Sequence, residues 1–186
     1  MYSSVLSGVL HGLKAEIVHV EVDVGNGLPS FEMSGFLSNE VKEARERVKV
    51  AIRNSGYELP PQRIVVNISP ADIRKSGTGF DLPIALAILA ANGLVDEVNL
   101  DKTVVLGELS LDGSINGVRG VLPCVCAAKE EGLEKILIPD INVIYYYFSL
   151  FLPYVSLPRF THINRLPFLN LDRKSTRLNS SHRCIS

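Results

Sequence analysis

The residues of this 186-residue chain that could do chemistry are two glycine turns, a few histidines and cysteines, and one short basic stretch. Gly25-Asn26-Gly27 and Gly77-Thr78-Gly79 have the look of phosphate loops. Neither extends to GxGxxG, and no GxxxxGK[ST] occurs anywhere, so the backbone cradle and lysine that a nucleotide needs are missing. The second turn opens a helix whose first amides suit an anion, yet Asp81 already brings a carboxylate there. His11, His19, His162 and His182 have no ligand or triad spacing to one another, to cysteine or to a carboxylate. No serine lies in GxSxG. Cys124 and Cys126 stand two apart in a helical pattern, which turns them to nearly opposite faces and makes them small core residues rather than metal partners. We therefore assign no catalytic, cofactor-binding or metal-binding residue. The best local cations for DNA or a partner protein are Arg63, Arg74 and Lys75, the competing reading being solvated charges beside a loop.

These residues are positioned by elements that the patterning predicts. Ala15 to Val24 alternates Val18, Val20, Val22 and Val24 against polar neighbours, a half-buried strand. Pro29 to Met33 is read as its returning hairpin partner. Ser38 to Asn54 is an amphipathic helix with Val41, Ala44, Val48, Ala51 and Ile52 on one stripe. In it Glu43 precedes Arg47 by four, the favourable order for an ion pair, and Lys42, Glu46, Lys49 and Arg53 form a solvated outer face. Arg63 to Ile68 is a strand. Asp81 is read as the cap of a helix from Leu82 to Ala91 that is apolar all round and hence buried on several sides. A strand at 103–106, a hairpin around Asp112-Gly113, a helix ended by Gly132 and a strand at 135–138 complete an α/β (α+β) pattern, a mixed sheet with covering helices.

Five stretches in series carry a family resemblance: GLPSFEMSGF (27–36), VKEARERVKVAIRNSGYELP (41–60), RIVVNISPADIRKSGTGFDLPIALAIL (63–89), LGELSLDGSINGVRGVLP (106–123) and KILIPDIN (135–142). Together they resemble the N-terminal domain of the magnesium-chelatase-related, competence-type proteins. The resemblance implies a fold like domain 2 of ribosomal protein S5, shared with the Lon protease domain. It also implies an AAA+ ATPase module, with its own ATP and magnesium, following the domain in a full-length protein. Members are implied to act as homo-hexameric motors in DNA recombination and branch migration during transformation. Lon peptidases use a Ser–Lys dyad; here Gly79 stands at the nucleophile's place and Leu122 near that of the lysine. A degenerate peptidase is thus disfavoured, and the remaining alternative is a protein-interaction module for oligomer assembly without nucleic acid.

Composition divides the chain. Residues 1–142 carry 13 Lys and Arg against 19 Asp and Glu, net −6; residues 143–186 carry 6 against 1, net +5. The expectation is a domain over 1–142, truncated before its ATPase, then a non-native apolar segment at 143–171. Residues 172–186 are expected to be disordered and contain DRKSTRLNSSH, which looks like a translated sequencing adapter. No signal peptide or membrane span is read, and a reduced, cytoplasmic setting is expected.

Overall fold

The computed structural model describes residues 1–96, 100, 102–133, 135–142 and 166, and the backbone of 159–163. The expected segments 143–171 and 172–186 lie outside the described residues except for that strand and Leu166. The elements are β1 (Tyr2–His11), β2 (Lys14–Gly25), β3 (Ser30–Ser34), α1 (Asn39–Asn54), β4 (Arg63–Ser69), α2 (Asp81–Ala91), β5 (Thr103–Val105), β6 (Glu108–Leu109), β7 (Ile115–Asn116), α3 (Val121–Glu130), β8 (Lys135–Pro139) and β9 (Arg159–Ile163). Seven strands form one mixed sheet in the order β3-β4-β2-β1-β5-β8-β9, and β6 and β7 form a separate small hairpin. The mixed α/β architecture expected from the patterning is the one observed.

Strands β5 and β8 are buried on both faces, whereas β2 and β4 bury one face only. Val18, Val20, Val22 and Val24 of β2 and Ile64, Val66 and Ile68 of β4 join α1 and α2 in one core cluster. Val104, Leu106, Ile136 and Ile138 join α3 in a second. Helix α1 buries Val41, Ala44, Val48, Ala51 and Ile52, the stripe that its spacing predicts, while every residue of α2 is buried between the sheet and α1. No helix among the described residues is long and apolar enough to cross a membrane.

Three expectations are corrected. Strand β1 is absent from the sequence reading, yet it is central, antiparallel to β2 and parallel to β5. Strand β3 is not the hairpin partner of β2: it pairs parallel with β4, which lies between them, so β3-α1-β4 is a crossover. Asp81 does not cap α2; Phe80 occupies that place without a side-chain bond, and the Asp81 carboxylate turns elsewhere.

Helix α3 sits close to β1 because Gly8 has no side chain. A Cβ there would lie 2.6 Å from Cys124 Sγ and 3.1 Å from its Cβ. Cys124 is buried and Cys126 exposed, so only the first of the two is a core residue. Gly8→Ala is expected to cost about 1–2 kcal/mol, since overpacking is opposed by a thiol that can rotate only partly away. Combining it with Cys124→Ala should return part of that loss in urea unfolding; a strictly additive pair would refute the contact.

Candidate functional site

The chemistry-bearing residues gather around the loop from Pro70 to Phe80 and the start of α2. Lys75, one of the three cations expected at a DNA or partner surface, is fully buried. Its Nζ donates to the Pro70 carbonyl. Its backbone N–H donates to Phe36 O at 2.8 Å, and its carbonyl accepts from Ser38 N at 2.9 Å. Burial lowers its pKa. Lys75 pins the loop to the entry of α1 and is withdrawn from any phosphate backbone, which corrects its placement among the surface cations. Arg63 is at the surface but spends its charge on Glu32, 3.3 Å away, and holds that carboxyl below its ordinary value. Arg74 is exposed. The three residues therefore do not form one patch.

Beneath the loop lies a constellation that sequence spacing could not reveal. Arg47 Nε donates to Asp81 Oδ2 at 2.8 Å and Nη2 to Oδ1 at 3.0 Å, the forked geometry of a strong guanidinium–carboxylate pair. Asp81 Oδ2 also accepts from the Leu109 N–H at 3.2 Å, and Arg47 Nη2 donates to Glu40 O at 3.0 Å. The expected Glu43–Arg47 pair exists only at 3.8 Å, so Asp81 is the principal partner. The Asp81 side chain is 0% exposed and that of Arg47 23%. The hydrogen bond to Asp81 raises the Arg47 pKa despite burial. Burial pushes the Asp81 carboxyl up against the pull of Arg47 and the Leu109 amide. With each oxygen taken by a fixed donor and no solvent access, Asp81 ties α1, α2 and β6 together rather than exchanging protons.

The start of α2 does not suit ATP or magnesium. Asp81 sits in its first turn, and the Thr78 hydroxyl donates to the Glu108 carboxylate. The Asp81 carboxylate is committed to Arg47 and the Leu109 amide and Glu108 to Thr78, so the site brings negative charge and no free side-chain donor for a phosphate. Among the described residues no group of three or more His, Cys, Asp or Glu side chains is placed to hold a metal. These residues do not fit a nucleotide–metal site.

Gly79 and Leu122, which the Lon resemblance sets near the places of a Ser–Lys dyad, lie in open surroundings. A Cβ on Gly79 would meet only Val118, at 3.7 Å, so a nucleophile would fit but none is present. Leu122 is half exposed on the first turn of α3 and carries no amine. Cys124 is held protonated, its pKa pushed up to about 12 by burial.

A groove of about 690 Å³ opens beside the second half of α1, lined among others by Glu46, Lys49, Arg53, Glu58, Phe31 and Tyr57. Its alternating signs agree with a solvated helix face, and Glu46 is paired with Arg45 at 3.0 Å.

With this geometry in place, comparison with known proteins is informative. A family model described as subunit ChlI of Mg-chelatase matches residues 20–142. The competence protein ComM of Haemophilus influenzae is 42% identical over 126 residues, which is 68% of this chain and 25% of that protein. The protein YifB of Escherichia coli is 43% identical over 129 residues, 69% of this chain and 26% of that protein. Lon protease 2 of Bacillus subtilis is 31% identical over 102 residues, 54% of this chain and 18% of that protein. The chain spans about a quarter of the length of the ComM and YifB relatives.

Proposed function

Because the chain belongs to the family of subunit ChlI of magnesium chelatase, we propose that residues 1–142 form an accessory, non-catalytic domain of a longer, ATP-driven protein acting on DNA. The observation that carries this reading is the family match over residues 20–142, together with similarity to a protein named for competence. In this reading ATP and magnesium are bound by a separate AAA+ module of the longer protein, which is also the domain's nearest partner. Assembly as a homo-hexamer, a cytoplasmic location and a role in recombination during transformation belong to the same proposal. The domain's contribution is to present a surface, since the Asp81 carboxylate and the Cys124 thiol are sequestered in the ways described above.

The burial of Lys75 refines the DNA test. Arg74→Ala is expected to weaken binding to a DNA duplex about two- to fivefold and to reduce the salt slope by about one, as for loss of one phosphate contact. Fluorescence anisotropy over a salt series measures both. Lys75→Met should instead lower stability. Binding indifferent to Arg74→Ala would remove the DNA reading. The net charge of −6 over residues 1–142 favours the second reading, an oligomer-assembly module without nucleic acid. Analytical ultracentrifugation with and without DNA separates the two.

A further inference from the structure

Strand β3 ends one side of the large sheet, flanked by β4 alone. Among the described residues no backbone group of residues 30–34 is bonded on the outer flank. Such an edge presents a row of free N–H and C=O groups, which another extended chain satisfies by adding a strand. The groove beside α1 opens at the start of this edge. Ser30 and Phe31 of β3 line it together with Lys49, Val50 and Arg53 of α1. Its volume of about 690 Å³ is that of a ligand pocket rather than a packing defect. Free backbone groups and empty space for side chains thus occur side by side.

The charges of the groove do not cancel. Glu46 is held by Arg45 at 3.0 Å, and Glu32 of β3 by Arg63 at 3.3 Å. Lys49 and Arg53 are exposed and enter no ion pair among the described residues. They stand four residues apart on α1, where like charges repel and weaken a helix. Glu58 is the remaining acid of the lining, so two free cations face one free carboxylate there. A carboxylate brought in from outside would relieve the repulsion that α1 carries. A second copy of the chain does not meet this need, because a two-fold pairing of β3 edges would bring two Lys49–Arg53 pairs to one seam. A DNA duplex offers phosphates but no backbone donors and acceptors to complete a strand ladder.

We propose that the open edge of β3 and the groove beside α1 form a binding site for an acidic peptide of another protein. The peptide adds to the sheet as a further strand, with backbone bonds to β3 and carboxylates on Lys49 and Arg53. The inference is independent of the DNA reading, which concerns the cation Arg74.

The test uses the full chain and a fluorescein-labelled synthetic peptide, Val-Thr-Val-Thr-Glu-Glu, beside a counterpart ending in Lys-Lys. The acidic peptide should bind at least about fivefold more tightly, and added salt should shrink the difference. Lys49→Glu/Arg53→Glu should reverse the preference. Lys49→Gln/Arg53→Gln, the milder change to the helix, should abolish it. A preference that survives in the glutamine variant, or no binding of the acidic peptide to the wild type, would overturn the proposal. Two more versions of the acidic peptide carry N-methyl groups on alternate residues, one set each. Only one set of N–H groups faces a neighbouring strand. One version should therefore lose binding by at least about tenfold while the other keeps it. Equal binding by both would overturn strand addition. Displacement of the peptide by a DNA duplex would overturn the proposal in favour of a nucleic-acid surface. Self-association of the chain that the peptide reverses, seen by analytical ultracentrifugation, would overturn it in favour of a second copy.

Discussion

Replacing Arg47 by methionine is expected to lower the stability of the domain by about 3–5 kcal/mol, the cost of leaving a buried charge without its partner. Asp81 would keep only the Leu109 amide as a donor, in a site with no exposure of its side chain. The loss depends on the charge more than on the contact area, and a second substitution shows this. Asp81→Asn keeps an acceptor for Leu109 while removing the charge, so Arg47→Met/Asp81→Asn should be more stable than Arg47→Met alone. A single-variant loss under about 1 kcal/mol, or a double variant no better than the single, would refute the assignment. The effect also depends on pH. Burial already raises the folded-state pKa of Asp81, and loss of Arg47 raises it further. An acid whose folded pKa is raised contributes stability that is fully present below its unfolded pKa, about 3.9 for aspartate. That contribution is lost as pH rises through the folded value. The deficit of Arg47→Met should therefore widen from pH 4 to pH 7 in urea unfolding, and a deficit that narrowed would contradict the stated cause.

Gly35→Ala is expected to cost about 2–6 kcal/mol, from two faults that add. Gly35 has φ +113, where an L side chain is strained by about 1–3 kcal/mol. Its added Cβ would also lie 2.7 Å from the Ile68 carbonyl oxygen. That oxygen belongs to β4, whose Ile68 pairs with Val20 of β2, so it cannot retreat without disturbing the ladder. Overpacking of this kind adds a further cost of about 1–3 kcal/mol. Gly12→Ala is the control: its φ is +63 but nothing lies within 4 Å of the added Cβ, so only about 1 kcal/mol is expected. Thermal unfolding of the two variants decides the matter, and equal melting temperatures would show that the steric part is absent.

Much of this architecture is legible in sequence, and the failures have physical causes. The stripes of α1 and α2 appear as read because burial there follows helical period alone. Strand β1 escapes because its inward positions are Ser3, Val5, Ser7 and Val9, so half of the buried face is polar. Ser7 is tolerated there because its hydroxyl donates to Val105 O at 2.9 Å across the sheet. The false hairpin arises because alternation predicts a strand and says nothing about its neighbour. Asp81 has the composition and position of a cap, and only the fold brings Arg47, 34 residues earlier, into its reach. Lys75 reads as a surface cation because lysine almost always is one; its burial depends on the carbonyl of Pro70 facing inward. The absence of a phosphate loop and of a Ser–Lys pair, by contrast, needs only residue identities.

The central position of β1 has a consequence for synthesis. It precedes the other strands of its sheet in sequence, and β2 can cover one of its edges at once through the hairpin. Its other neighbour, β5, is not made until residues 103–105, and until then β1 is the bare rim of a half-built sheet. An unpaired rim of this kind is a template for wrong pairing. A nascent chain of this protein thus passes through a long interval in which one edge of its growing sheet stays bare, an interval that ends only once Val104 has emerged to meet Leu6.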